Sequence, residues 1–119
     1  NKVLYAVGGY NGGPINTVEA YDPATNTWTT KAPMPTRRYE LAVGIVNKIL
    51  YAVGGSIGTV QTAVNTVEAY NPATNTWRAK ARLPSRTAFP TIGVVNNVLY
   101  AAGGIKPGQI VNTVEAFTP

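Results

Sequence analysis

One phrase occurs three times in this chain: Leu4-Tyr5-Ala6-Val7-Gly8-Gly9, Leu50-Tyr51-Ala52-Val53-Gly54-Gly55 and Leu99-Tyr100-Ala101-Ala102-Gly103-Gly104. A second phrase follows each copy: Asn16-Thr17-Val18-Glu19-Ala20-Tyr21, Asn65-Thr66-Val67-Glu68-Ala69-Tyr70 and Asn112-Thr113-Val114-Glu115-Ala116-Phe117. The Gly-Gly pairs stand 46 and 49 residues apart, and the second phrases 49 and 47. A period of this length describes an array of like units in which each unit covers its neighbour's apolar face. The constant phrases then build a scaffold, and whatever is specific falls to the segments between them.

Each unit reads as strands and turns. The runs Val3–Val7, Ile49–Val53 and Val98–Ala102 are nearly all apolar and end at Gly-Gly, as a strand buried on both faces does. Leu41–Val46 and Pro90–Val95 precede two of them, joined through Asn47-Lys48 and Asn96-Asn97. Two-residue hairpin turns need left-handed backbone, which Asn accepts and Lys accepts less readily. The strand Thr17–Tyr21 alternates, with Val18 and Ala20 on one side and Thr17, Glu19 and Tyr21 on the other. It runs into Asp22-Pro23-Ala24-Thr25-Asn26, repeated as Asn71-Pro72-Ala73-Thr74-Asn75, which opens like a type I turn. A fourth strand carries Trp28 or Trp77, and Pro35 or Pro84 closes the unit. No helical periodicity competes with this pattern. Four antiparallel strands per unit is the count of a propeller blade.

Composition agrees with a folded chain. Of the 119 residues, 45% are hydrophobic and 13% charged. There is no Cys and no His, so disulfides and thiolate or imidazole chemistry are excluded. No apolar run is long enough for a membrane-spanning helix, and no charged-then-apolar leader is present. The net charge is +5. Lys31, Arg37, Arg38, Arg78, Lys80, Arg82 and Arg86 follow the two Trp residues. That placement suits edge strands protected by cations, and without interleaved aromatics it disfavours nucleic acid as a partner.

The Gly-Gly after a Tyr-bearing strand, the glutamate strand, Tyr-Asp-Pro and the spaced Trp together resemble kelch repeats, over essentially the whole chain. The scarcity of Cys and His is closer to bacterial kelch repeats, with a secreted or periplasmic setting favoured. The resemblance implies an all-β, kelch-type propeller, incomplete within one chain. Asn1 aligns with Asn47 and Asn96, and Pro119 with Pro23 and Pro72, giving a partial blade over 1–35, a full blade over 36–84 and a partial blade over 85–119. Propellers close with about 4–8 blades, so two apolar faces await cover by other copies of the chain or by further blades of a parent chain. Two copies forming a six-bladed ring is one solution.

Candidate binding residues lie where blades connect. The loops Tyr10–Ile15, Ser56–Val64 and Ile105–Val111 differ while the strands do not, and they share a rim with the links Thr36–Glu40 and Ser85–Phe89. Variable loops on a constant scaffold are where recognition usually sits, and the resemblance implies a peptide-binding rim. Arg37, Arg38 and Arg86 are candidates for gripping an anion, since guanidinium pairs well with carboxylate. Tyr10, Tyr39 and Phe89 would add apolar contact. Arg38, Tyr39 and Glu40 have Thr87, Ala88 and Phe89 at their equivalent positions, which marks them as specific. The recurring Glu19, Glu68 and Glu115 read as structural partners within the sheets, and Trp28 and Trp77 as packing between blades. The pairs Gly8-Gly9, Gly54-Gly55 and Gly103-Gly104 read as sites of close backbone approach. They are not a phosphate loop, because no helix follows.

These residues favour a non-catalytic scaffold that binds a peptide, protein or glycan, with no cofactor, no metal site and no membrane partner. One alternative is a fragment of an enzyme similar to the kelch-type sialic acid mutarotases, in which Arg38 would hold a carboxylate and Glu40 would move a proton. Another is an excised or engineered propeller segment with no activity of its own.

Overall fold

The computed structural model describes residues 2–119; the turn assigned to Asn1 lies outside them. Strands β1 (Leu4–Tyr10), β2 (Pro14–Asp22) and β3 (Thr27–Thr30) form the first blade. Strands β4 (Ala42–Val46), β5 (Ile49–Val53), β6 (Val67–Asn71) and β7 (Thr76–Ala79) form the complete second blade, in that spatial order. The third blade holds β8 (Thr91–Val95), β9 (Val98–Ala102) and β12 (Val114–Phe117), with a small hairpin of β10 (Ile105–Lys106) and β11 (Gln109–Ile110) between the last two. All pairings within the sheets are antiparallel. The only helical segment among the described residues is a single 3-10 turn at Val60–Thr62.

The turn chemistry follows the residues. Asn47-Lys48 and Asn96-Asn97 all adopt positive φ, between 50° and 66°, and Lys48 carries the strain that Asn avoids. Asp22 Oδ1 accepts from Ala24 N, and Asn71 Oδ1 from Ala73 N, at 2.8 and 2.9 Å. Asn26 and Asn75 then close each turn in the left-handed region and accept a hydrogen bond from the hydroxyl of Tyr21 or Tyr70.

The core lies between blades. Val18, Met34 and Ala52 are buried between the first and second, with Tyr5, Val7 and Trp77 packed on them. Tyr51, Val53, Val67, Leu83, Leu99 and Phe117 are among the buried residues between the second and third. Burial of this kind contributes roughly 25 cal/mol per Å² of apolar surface. The Gly-Gly pair lets the seam close. Gly55 has φ 98°, and a Cβ there would stand 2.5 Å from the Tyr39 carbonyl oxygen. Its N–H instead donates to Thr87 O at 2.9 Å, so the link to the third blade runs against bare backbone.

Two expectations change. The loop read over Tyr10–Ile15 contracts to Asn11–Gly13, because an irregularity between Val7 and Gly9 lets β1 continue to Tyr10 opposite Pro14. The packing role read for Trp28 is not met: it is 53% exposed, with no blade against the outer face of the first among the described residues. Trp77, at the equivalent place, packs at the seam and donates its indole N–H to Ala32 O at 2.8 Å.

Candidate functional site

The links 36–40 and 85–89 cross from one blade to the next over the Gly-Gly turns, and the loops after β1, β5 and β9 stand beside them. Tyr39 and Ser56 exchange backbone hydrogen bonds at 3.1 and 2.8 Å, and Ala88 and Ile105 do so at 2.9 and 2.8 Å. Each link therefore grips the loop that follows the next blade's second strand. The Tyr39 hydroxyl donates to Gly58 O, and its ring lies 5.1 Å from that of Tyr10. Tyr10 and Tyr39 thus meet across neighbouring segments.

Arg38 does something else. Its side chain is wholly buried. Nη1 donates to Gly54 O at 2.7 Å and Thr66 O at 3.0 Å; Nη2 donates to Ala52 O at 3.1 Å and Glu68 Oε2 at 3.0 Å. Thr36 Oγ1 donates to the other Glu68 oxygen at 2.7 Å. Burial holds the guanidinium below its ordinary pKa, and the Glu68 carboxylate offsets only part of that shift. This is the only ion pair among the described residues. The anion-gripping role read for Arg38 is therefore corrected: its Nη donors are already engaged, and Nε is enclosed without a partner. The mutarotase-like reading loses its carboxylate holder by the same burial. What marked Arg38 as specific was its lack of a repeat, since Thr87 stands at the equivalent place. The signal that identifies its role is the glutamate across the seam, which needs a cation once buried.

The three recurring glutamates differ. Glu68 has its structural partners, but Glu19 is exposed and neither Glu19 nor Glu115 forms an ion pair among the described residues. Thr87 reaches only to Gly103 O and Ala88 O. The partners of Glu68 thus come from the link across the seam rather than from within its sheet.

The remaining candidates face outward or sit at the rim. Arg37 and Arg86 are exposed at equivalent positions. Glu40 and Phe89, also equivalent, take φ of 56° and 54° just before the innermost strands, and Phe89 N donates to Glu40 O at 2.8 Å. Left-handed backbone is unusual for a residue such as Phe. Burial pushes the Glu40 carboxyl up, with one oxygen enclosed and unpartnered. Phe89 exposes its ring. Ile57 and Ile110, on the neighbouring loops, are exposed too, and composition gave no reason to single them out. No group of three or more His, Cys, Asp or Glu side chains gathers among the described residues. A cavity of about 330 Å³ lies away from the rim, against β6 and β7, lined by Tyr51, Ala69, Thr76 and Arg78 among others.

Comparison with known proteins follows this geometry. The chain is 43% identical over 61 residues to Kelch-like ECH-associated protein 1B of Danio rerio, covering 47% of this chain and 10% of that protein. It is 46% identical over 59 residues to the influenza virus NS1A-binding protein homolog of Mus musculus, covering 49% and 9%. The chain thus spans about a tenth of these relatives' length. The solved structure of YjhT superposes with a TM-score of 0.70 at 26% identity, over 85% of this chain and 34% of that one. The family model described as "Kelch motif" matches three times, over residues 1–35, 37–84 and 86–119. Seams closed at Gly-Gly, four strands to the complete blade and three successive motif matches make this chain a member of the kelch-repeat family and an incomplete β-propeller.

Proposed function

We propose that this chain is a non-catalytic binding scaffold that recognises a protein or peptide through its rim, and that copies associate to cover its open blade faces. One contrast carries the reading. At the closed seams the recurring Gly55, Glu68 and Trp77 make the contacts between blades, whereas the rim exposes Tyr10, Ile57, Phe89 and Ile110, which do not recur. Large exposed apolar groups together with the exposed Arg37 and Arg86 are the residue types of a protein-binding surface, apolar anchors with charged neighbours. They suit an acidic partner with apolar anchors. One relative is named as a homolog of an influenza virus NS1A-binding protein, which supports a protein as the class of partner.

Peptides selected against the full chain from a displayed library test the rim. Loss of binding in Phe89→Ala and Arg86→Ala supports the reading; ligands indifferent to both overturn it. Light scattering across a concentration series tests association. A mass of twice the 12.6 kDa chain supports a paired ring, and a monomer throughout removes it.

A further inference from the structure

The first blade carries an unoccupied copy of a seat whose occupant is visible one blade later. On the second blade the seat is filled by the link 31–38. Ala32 N donates to Asn75 Oδ1 at 2.9 Å, and Trp77 Nε1 donates to Ala32 O at 2.8 Å. Met34 is fully buried. Thr36 and Arg38 take the two oxygens of Glu68. The link is thus read at its backbone, at one apolar side chain, at a hydroxyl and at a guanidinium.

Every receiving group has its counterpart on the first blade: Asn26 for Asn75, Trp28 for Trp77 and Glu19 for Glu68. The counterparts already hold the bound geometry. The Tyr21 and Trp28 rings lie 5.1 Å apart at 39°, against 5.2 Å and 39° for Tyr70 and Trp77. Tyr21 donates to Asn26 Oδ1 at 2.9 Å, against 2.8 Å for Tyr70 and Asn75. Yet Leu4 is 61% exposed where Leu50 is 2%, and Glu19 has no ion-pair partner among the described residues. A seat that keeps its shape without its occupant loses little freedom on binding.

We propose that this face binds an extended segment of the pattern small residue, x, apolar residue, Pro, Ser/Thr, x, Arg, with the guanidinium on Glu19 and the indole of Trp28 on the segment's backbone carbonyl. A second copy of this chain has no free segment of this kind. Its 31–38 is already seated on Glu68, and its 80–87 has Thr87 where the arginine is required. The occupant is therefore an arginine-bearing segment of a different protein chain. This inference shares with the association reading only the premise that the open face becomes covered. Light scattering decides that reading, and a peptide titration decides this one.

The probe is a capped peptide of the sequence of residues 31–39, titrated into the full chain by calorimetry and followed by tryptophan fluorescence. The peptide of residues 80–88 is a control of equal length and equal charge that lacks the final arginine. Saturable binding is expected, weakened at least about tenfold in three cases. These are the 80–88 peptide, the 31–39 peptide with Gln in place of its last Arg, and the Glu19→Gln protein. Glu19 is exposed, so Glu19→Gln should fold unchanged, which circular dichroism checks. No saturable binding at millimolar peptide overturns the proposal. So does equal binding of the control peptides, or binding untouched by Glu19→Gln, which would place the peptide elsewhere. If copies pair through this face, the 31–39 peptide must dissociate them; a pair that it leaves intact also overturns the proposal.

Discussion

Replacing Arg38 by methionine keeps most of the side-chain volume and removes the charge, so it isolates what the buried guanidinium does for the seam. Four hydrogen bonds disappear, but they are not of equal weight. Thr66 O still accepts from Gly54 N at 3.0 Å, and Ala52 stays paired with Glu68 in the ladder. The main losses are a Gly54 carbonyl without its donor and a Glu68 carboxylate, only 5% exposed, without its counterion. Removing one partner of a buried pair costs about 3–5 kcal/mol, a large share of the roughly 5–15 kcal/mol that holds a domain folded. The double variant Arg38→Met/Glu68→Leu removes the orphaned charge as well and should regain most of the loss, since apolar replacement of a whole buried pair is often neutral. Urea unfolding followed by tryptophan fluorescence reads both, with Trp77 at the seam as reporter, and an unchanged m-value confirms that only stability has moved. A single variant that loses less than about 1 kcal/mol would refute the reasoning, because that is the worth of an exposed pair. A double variant no better than the single would refute it too, and would show that the guanidinium acts through the backbone carbonyls rather than through Glu68.

Three other outcomes follow from the same geometry. Trp77→Phe should cost about 1–2 kcal/mol in the same urea assay, through the lost indole bond to Ala32 O and a smaller ring, while Trp28→Phe, more than half exposed, should be close to neutral. Gly55→Ala should destabilise by at least about 1–3 kcal/mol, as a Cβ at positive φ would press on the Tyr39 carbonyl; a change below about 0.5 kcal/mol in thermal unfolding would count against the close seam. Burial raises the Glu40 carboxyl above its unfolded value. Its contribution is therefore fully present below the unfolded pKa and is lost as pH rises through the folded value. Glu40→Gln should flatten the stability-versus-pH curve from that point upward, and a curve of unaltered shape would contradict the assignment.

The repeat made the blade legible because turns and seams are local chemistry. Asn-Lys and Asn-Asn at the hairpins, Asp-Pro and Asn-Pro at the turns, and Gly-Gly where backbone meets backbone each require residues that can be read singly. Burial could not be read that way. Glu19 and Glu68 sit in identical Asn-Thr-Val-Glu-Ala-Tyr strands, yet one is exposed and the other is buried. The difference lies wholly in what the preceding segment brings across the seam. Trp28 and Trp77 diverge for the same reason.

Arg38 shows how repeat logic misleads when it is applied to one residue at a time. Its lack of a counterpart at Thr87 suggested specificity, and specificity suggested a ligand. The proper unit is the contact rather than the residue. Glu68 recurs, but its partners Thr36 and Arg38 belong to a link, and links vary more than strands do. A recurring acid in an apolar strand therefore predicts that each seam must find its own answer. The first seam uses arginine, and at the second Glu115 has no ion pair among the described residues. The outer face of the first blade poses the same requirement with Glu19 still open. The rim variation that suggested recognition and the link variation that sets seam chemistry occupy the same short segments. One substitution in a link can thus alter both what the scaffold binds and which blade it accepts as a neighbour.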